Sequence, residues 1–569
     1  MATGQFTGRG ADASGGGSGS RMRKGVRVAA IILLIVALIG IALSIPSSRK
    51  DSEVGRDAAG LLVGSEAHGD SDDPGIVDIA PANITAADAR TAARTEPYAT
   101  KLAVQVNQNR LGINYTWTLV AGFLVMLMLL GFALMETGFC RAKNALHVMT
   151  MNLGVYFIGM LGYFFCGFAL QFGGVGKVGV PNLGGLPQLN RELTLPLGGV
   201  HWGIIGGKGF FLSDGTYDVG IAVMFLFQMV LMATAATIPT GAMAERWKWG
   251  AFCVYGFFVS TIIYPVFGNW AWGGGWLSQL GSKGLGHGYT DFAGSGVVHA
   301  VGGFIALAGA HVLGPRLGKY NKDGSSNVIP GHNMVLAIAG TLILAFGWFG
   351  FNPGGTLGAS GNGSLRIGLI AVVTMLAGSA GAMAAMLLTW YLNGKPDVGM
   401  TCNGLLAGLV AITASSGWVS PISAFIIGAV AGVIVVFAVV IIDRRLHIDD
   451  PVGAIAVHGV CGVWGMLAVG LFADGTANYG GRQVKGLFFG DAGQLGAQAI
   501  GVVVVILWAG GISYAFFKVV DRLMGLRSRP EDELAGLDLP ELGASAYWNN
   551  GEPLKGGIFP IPAPAMGGD

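Results

Sequence analysis

The hydrophobic positions of this chain come in long unbroken runs, not at the two-residue spacing of a strand or the three-and-four spacing of a surface helix. From Tyr115 onward eleven runs follow one another with short interruptions, at about 115–135, 148–172, 220–242, 250–270, 293–313, 333–350, 367–391, 401–416, 420–442, 452–472 and 496–518. A helix needs roughly 20 apolar residues to cross the hydrocarbon core of a bilayer. Only a helix satisfies its own backbone hydrogen bonds in a lipid-bound segment of that kind. The pattern predicts an all-α polytopic membrane protein with eleven transmembrane helices.

The chain ahead of these runs reads differently. Residues 1–27 are rich in Gly and Ser and end on Arg21, Arg23, Lys24 and Arg27, which predicts a disordered basic N-terminus. The apolar stretch 28–45 is an additional hydrophobic leader. It is either the h-region of a signal peptide, with small residues Ala42 and Ser44 at its end, or an extra anchor helix. Residues 46–112 are polar and acidic in patches (Asp70, Asp72, Asp73) and read as an extracytoplasmic linker with no core of its own. Residues 113–520 form the membrane domain, and 521–569 a C-terminal tail.

Composition narrows the class. Of the 569 residues, 52% are hydrophobic and 12% charged, against about 25% charged in soluble domains; a water-soluble enzyme cannot cover its surface with so little charge. The reading is of a protein that is not an enzyme and takes no cofactor. A net charge of +2 gives no electrostatic case for a nucleic-acid partner. Cys140, Cys166, Cys253, Cys402 and Cys461 lie in or beside apolar runs without CxxC spacing, which predicts buried thiols rather than a metal or disulfide framework.

Charge in the short loops sets the orientation. Arg141, Lys143, Arg246, Lys248, Arg316, Lys319, Lys322, Lys395, Arg444 and Arg445 all fall on one side when eleven spans alternate. The opposite loops are longer and sparser in positive charge. The positive-inside rule places the start of the first core span outside and the tail in the cytoplasm, as expected of a multi-pass protein of the inner (plasma) membrane.

Ionisable groups within spans are functional candidates because burying them in lipid is costly. Two are histidines in matching settings, Asp291-Phe-Ala-Gly-Ser-Gly-Val-Val-His299-Ala-Val-Gly-Gly303 and Asp450-Pro-Val-Gly-Ala-Ile-Ala-Val-His458-Gly-Val-Cys-Gly462. They share D-x-x-G-x-x-x-V-H-x-V-x-G and sit on the fifth and tenth runs, which cross in opposite directions. This predicts two inverted five-helix halves plus a final helix, with the solute path at the repeat interface. Eight helical residues rise about 12 Å, so each Asp belongs at a membrane surface and each His near the middle. Each aspartate is also an ordinary N-cap candidate. A neutral imidazole pair suits hydrogen bonding to a small polar solute, and proton relay. Around the pair the sequence places Phe227, Tyr264, Trp270, Trp272, Trp348, Phe349 and Phe351; an aromatic face beside a carboxylate suits a small cation.

These stretches resemble the ammonium transporter (Amt/Mep/Rh) family, bacterial Amt type, over about 113–548. The resemblance rests on GFALMETGFCRAKNAL, GAMAERWKW, AWGGGW followed by DFAGSGVVHAVGG, FGWFGFNPGG, GKPDVGMTCNGLLAGLVAIT and HIDDPVGAIAVHGVCGVWG, in the family's order. It implies an ammonium transporter or channel built as a homotrimer, each subunit with its own pore. By position, His299 and His458 match the twin pore histidines, Trp272 the tryptophan of the external recruitment site, and Asp291 the aspartate near it. Phe351 matches one of two gating phenylalanines, while Leu231 stands where the other falls and Gly355 where a recruitment-site serine falls, counting from Phe227-Gln228 and Phe351-Asn352. The segment Gly525–Tyr547, including Leu526, Arg527, Gly536, Leu537 and Asp538, resembles the family's cytoplasmic regulatory tail, which implies a PII-type signal protein as partner. The alternative is an ammonium sensor or regulatory protein with little net flux, a reading that the altered outer site motivates.

Overall fold

The structure, a computed structural model, describes residues 94–95, 97–360, 364–479 and 482–547. The leader at 28–45, most of the expected linker and residues beyond 547 lie outside the described residues. Among those described, ten helices are long and apolar enough to cross a membrane, and an eleventh apolar helix, Val398–Thr413, is shorter. In chain order they are α1 (Pro97–Phe139), α2 (Ala142–Lys177), α3 (Val219–Ala242), α4 (Trp249–Trp272), α5 (Ser295–Leu313), α6 (Met334–Phe351), α7 (Ser364–Asn393), α8 (Val398–Thr413), α9 (Pro421–Arg444), α10 (Ile455–Phe472) and α11 (Ala492–Met524). Two short helices follow, α12 (Pro530–Ala535) and α13 (Asp538–Leu542).

The first helix departs from expectation. It is already helical at Pro97, well inside the segment read as linker, and no Pro or Gly follows until Gly112. The polar run there continues the helix instead of breaking it, and Asn107 and Leu111 are already buried. At the other end α11 continues to Met524, so the tail begins at Gly525.

Local chemistry fixes where the helices begin. Asp218 caps α3 through Gly220 and Ile221, Asn333 caps α6 through Leu336, Asp397 caps α8 through Met400, Ser420 caps α9 through Ser423 and Asp491 caps α11 through Gln494. Antiparallel hairpins β1–β2 (Glu192–Leu197, Val200–Gly206) and β3–β4 (Asp474–Tyr479, Arg482–Lys485) join α2 to α3 and α10 to α11. Both lie on one side of the bundle, the hairpin side; the segment after α11 folds back under the other, the tail side.

Helix contacts follow the small-residue rule for spans, since lipid offers no hydrophobic drive between helices. One close crossing matters most here. A side chain on Gly303 of α5 would run into the backbone of Gly459 of α10, and one on Gly462 would meet Ser295 and Ala300 of α5. The two histidine-bearing helices therefore touch backbone to backbone. All five cysteines are free thiols.

Candidate functional site

Two segments of like sequence enter the bundle from opposite sides. Asp291 Oδ1 accepts from the Gly294 amide (2.8 Å), and Oδ2 from Gly296 (2.9 Å), Val297 (3.0 Å) and the Tyr289 hydroxyl (3.2 Å). Asp450 Oδ1 accepts from Val452 (3.3 Å) and Gly453 (3.0 Å), and Oδ2 from Ile455 (2.7 Å). The glycine three residues after each aspartate is left-handed, Gly294 at φ 121° and Gly453 at φ 80°, a turn that favours a residue without Cβ. Each segment then opens on a π-helical turn, Ser295–Ala300 and Ile455–Val460, that carries the histidine. Burial pushes the Asp291 carboxyl up, and its amide partners pull it back.

The turns bring the histidines together. His299 and His458 are buried, with Nδ1 to Nδ1 at 3.1 Å and ring centroids 5.2 Å apart. Two Nδ1 atoms at that distance need one N–H and one lone pair between them. In the neutral pair one ring therefore presents an Nε2 lone pair and the other an Nε2–H. The pair can accept from a solute at one end, donate at the other, and pass a proton between its rings. His299 Nε2 is buried without a hydrogen-bond partner among the described residues.

Trp348 and Phe351 both stack on His299, with centroids 5.3 Å away, and Trp348 is anchored by its Nε1 on Thr413 Oγ1 at 3.0 Å. Phe132, which the sequence did not single out, packs against His458 at 5.9 Å. Phe227 is buried beside Gly354, where a Cβ would touch its ring, and Leu231 is buried one turn further along α3. Trp272 is half-buried and donates from Nε1 to the carbonyl of Asp291 (2.7 Å). Gly355 follows Phe351 in the turn after α6, and a Cβ there would come to 3.1 Å from the Phe292 ring. Tyr264 is buried edge-on to Tyr163, at 6.5 Å.

Two of the expected rings stand elsewhere. Trp270 donates to Ile204 and packs against Trp276 and Trp508, and Phe349 packs against Phe346. Successive helical residues turn by about 100°, so Trp348 and Phe351 share a face that Phe349 leaves.

On the tail side lies a charge cluster that the loop arithmetic read only as orientation. Glu245 accepts from Arg141 and from Arg316 Nη1 (3.0 Å), and Asp449 takes Arg316 Nε (2.8 Å) and Nη2 (3.0 Å). Burial by itself would raise Asp449, yet the Arg246 and Arg316 guanidiniums hold it well below the usual carboxylate range. The tail docks onto this cluster. The Lys248 amide donates to the Leu526 carbonyl (3.1 Å), the Ser528 amide to Arg246 (2.9 Å), and Arg527 pairs with Glu533 (2.7 Å), whose other oxygen takes the Leu317 amide (2.6 Å). Gly536 turns left-handed against Lys143, and the Leu537 amide meets Asn144 Oδ1 (2.8 Å). Asp538 accepts from the Leu146 and His147 amides, and Tyr547 meets His332 at 2.7 Å. Gly525, left-handed at φ 74°, starts the turn that sends the tail back.

Residues 116–547 match the sequence model described as the Ammonium Transporter Family. The chain belongs to that family. It is 47% identical over 446 residues to ammonium transporter Amt2 of Archaeoglobus fulgidus, covering 77% of this chain and 89% of that protein. Ammonium transporter Amt1 of Haloferax mediterranei is 39% identical, covering 78% and 81%. Among solved structures, a sensor Amt protein matches with a TM-score of 0.67 and 39% identity, over 77% of this chain and all of that one. Candida albicans Mep2 matches with a TM-score of 0.63 and 30% identity, over 79% and 93%. The transporter is a multi-pass membrane protein, and its substrate is ammonium.

Proposed function

We propose that the transporter recruits ammonium outside, on the hairpin side, near Trp272 and Asp291, releases its proton there and conducts the resulting ammonia past His299 and His458 to the cytoplasm, the proton moving separately or staying outside. The observation that carries this reading is the buried Nδ1–Nδ1 contact of 3.1 Å between two histidines in repeat-related π-turns. A carboxylate at the mouth raises the local concentration of a cation, and an apolar passage lined by imidazoles favours a neutral solute over an alkali ion. Phe351 stands at the gate, with Leu231 in place of a second stacked ring and Gly355 in place of a hydroxyl, and Phe227 lies beside Gly354 at this outer site. The two five-helix halves are related by an in-plane axis through the histidine pair, with α11 as the added helix.

The ten basic residues of the tail-side loops support a cytoplasmic tail side and an inner (plasma) membrane location. The resemblance of the docked tail, Gly525–Tyr547, supports a homotrimer whose cytoplasmic face meets a PII-type signal protein. A second reading, a sensor with little flux, draws on the 39% identity to a sensor Amt protein and on Leu231 and Gly355.

The test is ammonium transport in proteoliposomes, read both as ammonium-evoked current and as the internal pH rise that uptake of neutral ammonia produces. With His299→Ala or His458→Ala the folded protein should lose about ten- to a hundredfold in ammonium transport, or in selectivity over K+, as expected for removing a hydrogen bond to a charged or proton-relaying group. Wild-type flux and selectivity in both variants would remove the pair from the mechanism. Ammonium binding with neither current nor an internal pH rise in the wild type would favour the sensor.

A further inference from the structure

Beside the histidine pair, toward the tail side, lies a cavity of about 10 Å³ lined by Phe132, Met135, Glu136, Asn403, Val452 and His458. Space of that order holds one water-sized molecule, and an ammonium ion is of that size. Glu136 is a carboxylic acid inside the first span, 1% exposed. Its Oε2 accepts from Asn152 Nδ2 and Thr240 Oγ1, both at 2.8 Å. Among the described residues no Lys, Arg or His forms an ion pair with it. A buried carboxylate without a counter-ion is costly in a membrane interior.

Across the cavity, Asn403 spends an amide N–H on the Val452 carbonyl (3.2 Å), and its buried Oδ1 has no partner. The Glu136 carboxyl takes the Gly241 amide as well, so the neighbouring protein donors are engaged, while Asn403 Oδ1 is left as an unpartnered acceptor at the cavity. The complement of that surplus is a small ligand that carries only N–H donors and a positive charge. Ammonium has four such donors and no acceptor; water brings two donors and no charge.

We propose that Glu136, Asn403 and His458 form a tail-side binding station for one ammonium ion, with Glu136 as its counter-ion. The station deepens the histidine pathway and rests on it. It gives the solute a charged partner on the cytoplasmic side of the histidines, opposite the outer site of Asp291. In the sequence Glu136 stands one position past the first apolar run, which ends at residue 135.

Two measurements on the full chain in lipid test it. Infrared difference spectra on adding ammonium chloride, against potassium chloride, should show an ammonium-specific carboxylate change in the wild type. Glu136→Gln should abolish it. In proteoliposomes of single orientation, Glu136→Gln should raise the half-saturating ammonium concentration about tenfold or more from the tail face. From the hairpin face it should stay as in the wild type. Asn403→Ala should weaken the tail face in the same sense while leaving the bonds of Glu136 to Asn152 and Thr240, and it carries the comparison if Glu136→Gln does not fold. A missing wild-type band, a band that survives Glu136→Gln, or half-saturation that is unchanged or shifts equally from both faces would overturn the station. Those results with transport still dependent on His299 and His458 would leave the pathway standing, whereas transport indifferent to both histidines would remove the pathway itself.

Discussion

Asp291 engages both carboxylate oxygens, Oδ1 on the Gly294 amide and Oδ2 on Gly296, Val297 and the Tyr289 hydroxyl. Read from sequence alone, Asn could replace it as a cap and thereby separate capping from charge. The geometry removes that separation: an Asn amide would turn an NH2 toward a backbone N–H on one side or the other. Asp291→Asn should therefore lose about 1–3 kcal/mol of stability, the cost of a buried donor left unpaired. Asp450, which likewise accepts backbone amides on both oxygens, supplies the control. If Asp291 has the further task of drawing in the cation, Asp291→Asn raises the half-saturating external ammonium concentration while Asp450→Asn leaves it near wild type. Thermal unfolding and uptake series on both variants decide this, and equal changes in both would reduce Asp291 to a cap. At this scale the sequence was legible where a residue type rare in lipid falls inside an apolar run, as with His299 and His458, and not where it falls at the run's edge, as with Glu136. It was not legible for Trp270 and Phe349, because an aromatic near the right position says nothing of which way its helix face points. The same geometry bears on Gly355: a hydroxymethyl there would press on the ring of Phe292, so a serine needs that ring to give way.

At the scale of the element, long apolar runs located the helices because length and apolarity are what the bilayer demands. The π-turns at Ser295–Ala300 and Ile455–Val460 were hidden, since a change of hydrogen-bond register leaves hydrophobicity untouched. Those turns, with the left-handed Gly294 and Gly453 before them, let each span begin abruptly under its aspartate and aim its histidine at the other. The crossing that holds them depends on Gly303, where a Cβ would fall on the Gly459 backbone. Gly303→Ala should force α5 and α10 apart. Overpacking of this kind costs about 1–3 kcal/mol, and the 3.1 Å contact of His299 with His458 has no slack to absorb the movement. The expected outcome is a folded but less heat-stable protein whose ammonium transport falls as it does in the histidine variants. Wild-type transport in Gly303→Ala would show that the pathway does not need the two rings in contact.

Across the whole molecule, one segment ties the tail-side ends of separate helices together. Asp538 Oδ1 accepts from the His147 amide at 2.8 Å and Oδ2 from Leu146 at 3.2 Å, so the tail caps the start of α2. Three residues on, Glu541 Oε2 accepts from the Trp249 amide at 3.2 Å and caps the start of α4. Glu533, earlier in the tail, holds the Leu317 amide in the turn after α5. The sequence offered the tail by resemblance but not these contacts, because a capping residue hundreds of positions away leaves no local signature. A cap is ordinarily a local device whose removal costs about 0.5–2 kcal/mol, and two caps on different helices should then add to within about 0.3–0.5 kcal/mol. A tail that docks as one body behaves otherwise. Asp538→Ala would release the segment and with it the cap from Glu541, so the double variant Asp538→Ala with Glu541→Ala should be little worse than the single. Thermal unfolding of the two singles and the double gives the cycle, and limited proteolysis between Gly525 and Tyr547 reports release of the tail directly. Strongly sub-additive losses with early cleavage in Asp538→Ala would make the tail a single clamp across α2, α4 and α5. Additive losses with the tail still protected would make it a row of independent caps, unable to pass a binding event at the tail side on to the helices.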